Sequence, residues 1–434
     1  MNQPRRRRIL ADITPLKHRD YRRLFSAHVI TMIGAQLTVV AVPAQIYAIT
    51  GSSAYVGLTG LFGLVPLVVF GLWGGALADH FDRRTILRIT SSGLVVTSGL
   101  FWLQAAMGNT DPWLLLCLFA VQQAFFAVEA PTIGAVVPRL LPDDLLPAAN
   151  ALSMTVFQAG AIAGPLLAGV LIPIVGLTWL YGIDTICLFA TVTAVWFLPS
   201  MPVQGATGAP PGLRSVVDGF AYLRTQPVLM MSFLVDIIAM VFGMPRALFP
   251  ELAHATFGGP AEGGIVFAVL FAAIPAGAVL GGVLSGWVSR VERQGLAVVV
   301  AIVAWGLAIT GFGIAVFVAE SVGWGGTTAL VMLWLAVAML VIGGAADMVS
   351  AAFRMAMLQT AATDEMRGRL QGVFVVVVAG GPRIADVAHG GAAVLVGTAA
   401  AAAGGGVLVV VLTVLAAVAI PGFVRYRVTV SRSA

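Results

Sequence analysis

Twelve apolar runs follow one another along the chain, separated by short polar breaks and one longer connector. They fall at about 24–49, 55–78, 86–107, 113–137, 148–172, 177–198, 228–250, 264–288, 295–318, 328–353, 371–397 and 403–424. An α-helix needs about 20 apolar residues to cross the hydrocarbon core of a bilayer, and each run supplies that length. The runs are apolar all round and do not alternate, which predicts lipid-embedded helices rather than surface helices or barrel strands. Composition agrees. Only 10% of residues are charged and 59% are hydrophobic, whereas a soluble domain carries about 25% charged residues. Such a chain cannot cover a globular surface with charge, so a large soluble core is excluded. Fifty glycines suit the close helix packing that lipid demands. Cys117 and Cys187 lie inside apolar runs, too few for a disulfide framework or a Cys-rich metal motif.

The charges set the expected threading. Of 24 lysines and arginines, all but Arg246 and Arg383 fall in segments that share one side if the N-terminus is cytoplasmic. Arg5–Arg8, Arg83, Arg84, Arg139, Arg293 and Arg354 are among those inner residues, while the outer loops carry Asp111, Glu251, Glu262 and Glu320. The positive-inside rule then puts both termini in the cytoplasm and requires an even number of spans. No short apolar stretch with a small-residue cleavage site follows the N-terminal arginines, so no signal peptide is expected.

The expected class is an all-α polytopic membrane protein with 12 transmembrane helices in two pseudo-symmetric six-helix bundles. Segment 1–23 is cytoplasmic, 24–198 forms the N-terminal bundle, 199–227 a linker, 228–424 the C-terminal bundle, and 425–434 a cytoplasmic tail. Pro199 to Pro211 is rich in Pro and Gly, and 213–224 reads as a short amphipathic helix, either on the membrane surface or capping the bundle. The halves echo each other. Val137-Pro-Arg-Leu-Leu-Pro-Asp-Asp before Asn150 parallels Leu358-Gln-Thr-Ala-Ala-Thr-Asp-Glu before Gln371, an offset of 221 residues. Gly75-x-x-x-Asp79-x-x-x-Arg83 likewise parallels Gly282-x-x-x-Gly286-x-x-x-Arg290. Weak symmetry of this kind suggests a duplicated six-helix unit.

The loop after the second run reads Gly75-Ala-Leu-Ala-Asp79-His80-Phe81-Asp82-Arg83-Arg84. Gly75 permits close helix approach, and Asp79 at a span end can pair with an arginine or cap a neighbouring helix. An ordinary positive-inside loop is the competing reading. The pattern resembles the signature loop of the major facilitator superfamily, and that resemblance implies a gating role for Gly75, Asp79, Arg83 and Arg84, which hold the outward-open state. His80 stands where the family has a basic residue and Asp82 where it has Gly; Asp82 is expected to adopt the left-handed turn instead. The fifth run carries Gly160-Ala-Ile-Ala-Gly164-Pro165-Leu-Leu-Ala-Gly169, a smooth packing face kinked by proline. It resembles the motif of the superfamily's exporter branch, with Gly381-Pro382 as its counterpart in run 11; packing without directional meaning is the alternative. Ala41-Val-Pro-Ala-Gln45-Ile-Tyr-Ala-Ile-Thr50, Ala272-Ala-Ile-Pro275-Ala-Gly277 and Asp364-Glu-Met-Arg-Gly-Arg369 resemble the bacterial exporter family that includes siderophore exporters of the enterobactin type and macrolide or multidrug efflux proteins. That likeness implies the major facilitator fold and proton-driven export of small organic molecules.

Ionisable groups inside lipid are expensive and mark functional positions. Glu129, Asp184, Asp236, Asp347 and Asp386 lie within runs. Asp236, about 12 Å into its span at 1.5 Å per residue, is the first candidate for proton coupling, since a low dielectric disfavours a charged carboxylate. Asp386, Glu129 and Asp347 are further candidates. For each acid a structural interhelix bond is the competing reading. Arg383 and Asp386, at i and i+3, can pair locally or face a central cavity, serving an anionic substrate or the proton path. Arg246 is expected near the outer surface, where it can simply snorkel. Arg383, Gln36, Gln158 and Met240 are the candidate cavity residues, with packing as the plainer reading of each.

No phosphate-binding Gly-x-x-x-x-Gly-Lys-Ser/Thr loop occurs, so ATP is not the expected driver, and no catalytic or metal constellation stands out. The expectation is therefore a non-enzymatic, proton-coupled exporter of drugs or amphipathic metabolites, with no cofactor beyond the proton gradient. Its partners would be the lipid bilayer, a small-molecule substrate and protons, without nucleic acid and as a monomer in a bacterial inner membrane. A dedicated siderophore exporter is the alternative, and a non-transporting receptor or scaffold the remoter one.

Overall fold

Helices occupy the apolar runs, because a backbone in lipid must satisfy its own hydrogen bonds. The computed structural model describes residues 12–201, 221–361 and 364–427, and the side chains among them apart from 72–80, 289 and 359–376. The N-terminal half comprises α1 (Arg19–Thr50), α2 (Ser53–His80), α3 (Arg83–Ala106), α4 (Pro112–Leu140) and the continuous stretch Leu146–Trp196, which breaks at Gly176 into α5 (146–175) and α6 (177–196). The C-terminal half comprises α7 (Pro227–Gly243), α8 (Ile265–Val283), α9 (Gln294–Val322), α10 (Thr327–Ala361), α11 (Asp364–Val396) and α12 (Thr398–Ala419). By length and hydropathy, ten segments among the described residues suit membrane crossing. One of them, Asp143–Trp196, contains both α5 and α6, and α11 completes the twelve.

Local chemistry sets the ends. Asp111 accepts a hydrogen bond from the Trp113 N–H at 2.9 Å and so caps α4. Asp82 accepts from the Arg84 N–H at 3.3 Å and caps α3, with φ −57° and ψ 118°. The left-handed turn expected there is therefore absent, because the side chain is used as a cap. Gly176 turns α5 into α6 with φ 74° and ψ 169°, a backbone region open essentially to glycine.

Several span boundaries differ from the sequence reading: the first span starts at Arg19, the eighth ends at Val283, the tenth runs on to Ala361, the eleventh starts at Asp364, and two further differences bear on the site. α7 stops at Gly243 rather than near 250, and the chain continues through a 3₁₀ turn (Arg246–Leu248), the short helix Phe249–Glu251 and a π turn (Leu252–Thr256). Pro245, which lacks a backbone N–H, lies in the break. The last helix starts at Thr398, directly after Gly397, rather than at 403, and ends before Pro421. Linker residues 202–220, with most of the expected amphipathic helix, and both extreme termini lie outside the described residues.

Within the N half, α1 packs on α5 and α6, α2 on α4, and α3 on α4 and the α5–α6 stretch; within the C half, α10 packs on α8 and α9, and α12 on α7 and α9. Large side chains fill these seams against small ones. Buried Trp305 on α9 donates its indole N–H to the Ala239 carbonyl at 3.2 Å, in space left by Gly243 and Gly343. Many large apolar side chains elsewhere, such as Ile89, Leu307 and Leu415, are exposed, as a lipid-facing surface requires.

Candidate functional site

The two halves meet along α2 with α11 and α5 with α8. Among the described residues, the close contacts between the halves run from the middle of the bundle to the end remote from the chain termini. Gly57, Gly60 and Gly63 of α2 lie flush against Arg383, Asp386 and Gly390 of α11. Gly169 of α5 lies against Ala268 and the Gly264 carbonyl. Ser53 donates to Glu251 Oε2 at 2.5 Å. Toward the terminal end, Met154 and Phe157 on α5 and Val283 and Leu284 on α8 are exposed. The remote end is thus closed by smooth glycine surfaces and a few polar bonds.

Arg383 sits where this closure meets the middle of the bundle. Its Nη2 crosses to α4 and donates to Gln123 Oε1 at 2.6 Å, and its guanidinium carbon lies 5.5 Å from the Phe119 ring centroid. Asp386 instead receives Arg246, with Nη2–Oδ2 at 3.2 Å. Of the two readings that i, i+3 spacing left open, the local Arg383–Asp386 ion pair is not formed. The break after α7 folds Arg246 back onto α11, so this arginine pairs with a carboxylate rather than snorkelling.

A second cluster lies deeper, between α7 and α10. Asp236 is 1% exposed and ion-paired with Arg354, itself 4% exposed. Arg354 Nη2 is also 3.8 Å from Asp347 Oδ1, seven residues earlier on the same helix. The structure therefore joins two of the predicted acids through an arginine that charge counting assigned to the cytoplasmic side. A signal was present: Arg354 is flanked by Ala351-Ala-Phe and Met-Ala-Met-Leu358, apolar on both sides, and stands two helical turns from Asp347.

The N half has no such ion pair among its described residues. Asp184 of α6, 1% exposed, accepts from Thr38 Oγ1 at 2.6 Å and Ser98 Oγ at 2.9 Å. Closer to the remote end, Gln45 and Gln104 exchange two hydrogen bonds of 3.1 Å, and the Tyr181 hydroxyl donates to Gln45 Oε1 at 2.9 Å. Glu129 on α4 is buried, with Oε1 lacking a hydrogen-bond partner among the described residues.

The remaining candidates are dispersed. Gln36 packs against Gly164, and Met32 against Gly160, so the α5 glycines seat α1. Pro165 is buried beside them within the helix. Gln158 is half-buried on the same helix. Met240 is buried against Gly381, next to Pro382 within α11. Arg83 donates to the Ala135 carbonyl at 3.3 Å, and Arg84 and Arg88 reach the Trp196 carbonyl at 2.8 and 3.2 Å. These three arginines thus clasp α4 and the end of α6 rather than standing free in water. Gly75 and Asp79 fall in the last turns of α2, and their side chains lie outside the described residues. Two apolar recesses, about 680 and 530 Å³, lie inside the halves, among α2, α3 and α4 and among α8, α9 and α10. They lie among corresponding helices of the two halves, and neither lining includes Arg383 or Asp236.

Comparison with known proteins fits this geometry. The enterobactin exporter EntS of Shigella boydii serotype 18 is 29% identical over 388 residues, covering 88% of this chain and 87% of that one. EntS of Citrobacter koseri is 29% identical over 392 residues with the same coverage. The crystal structure of the nucleoside transporter NupG superposes with a TM-score of 0.70 at 14% identity, covering 93% of this chain and 99% of that one, which shows the shared fold. The relatives and the fold are those of membrane transporters, not of enzymes. The family model described as transmembrane secretion effector matches residues 10–429, and the chain belongs to this family of major facilitator exporters.

Proposed function

We propose that the protein exports small organic molecules by proton-coupled alternating access, as a monomer in an inner membrane with both termini in the cytoplasm. The observation that carries this reading is the buried Asp236–Arg354 pair with the part-exposed Asp347 beside it. Arg354 neutralises one acid but has two beside it. A proton on either carboxyl releases the arginine to the other, so protonation re-sorts a buried bond between α7 and α10. Buried ion pairs are costly to break one-sidedly, and that cost supplies a lever on helix position. With the termini inside, the closed remote end would face outward, and a cleft between the halves, opening at the terminal end where Phe157 and Leu284 are exposed, would receive substrate from the cytoplasm. Rocking of the halves about the midplane would then expose it outside. One charge crossing 100 mV contributes about 2.3 kcal/mol, so one or two protons per cycle suffice.

Comparative metabolomics of medium from deletion and overexpressing strains identifies the exported compound. In inside-out vesicles, Asp236→Asn is expected to abolish its pH-gradient-driven uptake while the protein stays folded and inserted. Undiminished proton-linked uptake by that variant rejects the assignment. A second reading, a dedicated siderophore exporter, is favoured by the likeness to enterobactin exporters across 88% of the chain. It requires the exported compound to accumulate only under iron limitation; an iron-independent drug or metabolite excludes it.

A further inference from the structure

We infer that the exported molecule is a small organic anion bearing a flat conjugated ring, and that Arg383, seated on Phe119, recognises it. The inference rests on the exporter reading and concerns the roof of the same cleft. Two guanidinium groups, Arg246 and Arg383, stand here with one carboxylate between the halves, and Asp386 is already engaged by Arg246 at 3.2 Å. Arg383 shares the field of that one carboxylate without bonding it, and its hydrogen bond goes to the neutral amide oxygen of Gln123 at 2.6 Å, so the group is one negative charge short. The other nearby acids are committed or distant. Glu251 lies nearer the closed end and accepts from Ser53, and Glu129 is six residues past Gln123, about 9 Å along α4.

A half-buried guanidinium whose partner is a neutral amide is under-compensated. Desolvated cations favour a charged acceptor, and a charge-assisted bond is roughly twice as strong as a neutral one. A carboxylate, phenolate or sulfonate arriving from the cleft can therefore take the place of Gln123. Phe119 supplies the shape preference. Its ring already lies 5.5 Å from the guanidinium, so a flat conjugated group sharing that face gains stacking as well as charge. Arg383 belongs to the C half and its two partners to the N half. Anion binding thus exchanges an inter-half bond for a bond to cargo, which loosens the closed end only when cargo is present. On the α2 side, Gly63 leaves the room the guanidinium occupies, and Gly60 lets α2 approach the Arg383 backbone carbonyl.

The test uses the purified full-length chain and two dyes of one ring skeleton and opposite charge, anionic fluorescein and cationic rhodamine 6G, read by fluorescence anisotropy. Fluorescein is expected to bind about 10-fold tighter or better, the range a charge-assisted hydrogen bond supports. Arg383→Gln removes that preference by weakening fluorescein while leaving rhodamine 6G within about 2-fold. Arg383→Lys keeps an intermediate preference, because the charge survives without the forked geometry. Gln123→Glu, which supplies a resident anion without emptying the site, weakens fluorescein by about 10-fold and serves if Arg383→Gln fails to fold. Equal or reversed dye preference, or fluorescein binding unchanged in both Arg383→Gln and Gln123→Glu, overturns the inference. Fluorescein that binds through Arg383 but is not moved by the protein in proteoliposomes refutes the exporter reading and leaves this one standing. Rhodamine 6G exported without dependence on Arg383 does the reverse.

Discussion

The two halves share a backbone plan and hold their buried acids in opposite ways. In the N half, Asp184 is held by the hydroxyls of Thr38 and Ser98. In the C half, Asp236 is held by Arg354, with Asp347 close by. Shifting the α10 positions back by the 221-residue offset puts Phe126 and Ile133 on α4 where Asp347 and Arg354 stand. The duplicated scaffold therefore kept its helix geometry and diverged in charge. Hydroxyl donors are neutral and cannot migrate between acids, so the Asp184 arrangement fastens α1, α3 and α6 together. An arginine between two acids has two arrangements of similar chemistry, and a switch needs two arrangements. The contrast assigns rigidity to one half and exchange to the other.

The largest expected effect breaks the C-terminal side of this contrast. Arg354→Gln leaves the buried Asp236 and the part-exposed Asp347 without their cation and is expected to cost about 3–5 kcal/mol, the range for removing one partner of a buried pair. Thermal unfolding of the purified protein should show a large drop. Adding Asp236→Asn to that variant should recover most of the loss, because a buried pair replaced as a unit is close to neutral. Additive losses in the double variant would mean that the two residues do not act on each other.

The N-terminal side predicts a smaller and differently patterned loss. Asp184→Ala removes the acceptor of two buried hydroxyls, of which Ser98 keeps Thr185 Oγ1 at 3.0 Å; an unsatisfied buried group costs about 1–3 kcal/mol, and roughly 2 kcal/mol in total is expected, since Thr38 can turn toward its own helix carbonyls. Asp184→Asn keeps an acceptor oxygen for them and should lose less than half as much. Proton-linked transport should survive Asp184→Asn, unlike Asp236→Asn. Equal transport defects in the two Asn variants would erase the distinction between the halves.

Much of the fold was legible because lipid imposes it. Twelve runs of spanning length, arginines concentrated on one expected side and glycines at packing intervals are direct consequences of the bilayer as solvent. The family resemblance was carried by the same glycines and by the loop after α2. The chemistry at the site was harder to read. Counting arginines assigned Arg354 to the inner side but did not reveal that two acids of its own half draw it into the bundle. Run length hid the end of α7, since Leu248, Phe249 and Pro250 continue the apolar pattern past the break. That break delivers Arg246 to Asp386 while Arg383 bonds Gln123, so of the two sequence readings of Arg383 and Asp386 the local pair is the one not formed. Periodicity reports which face is apolar; it does not report which of two nearby cations reaches a carboxylate first.

The smallest expected effect tests the part of the comparison in which the halves agree. Gly176 joins α5 to α6 with φ 74° and ψ 169°, and Gly397 joins α11 to α12 with φ 85° and ψ 160°. The two glycines are separated by the same 221-residue offset found in the sequence echoes. Both occupy backbone space that a Cβ makes unfavourable, at a cost of about 1–3 kcal/mol. No atom lies within 4 Å of where a Cβ would be built at either position, so backbone conformation alone sets the penalty and collision adds nothing. Gly176→Ala and Gly397→Ala are therefore each expected to lower stability by about 1 kcal/mol, the lower end of that range, and by the same amount within error. Equal losses in thermal unfolding would show that the duplicated joint survives in both halves while the buried chemistry around it has changed. A Gly397→Ala loss several times that of Gly176→Ala would mean that the C half strains its joint as well as its charges, and the two halves would then differ in backbone as well as in chemistry.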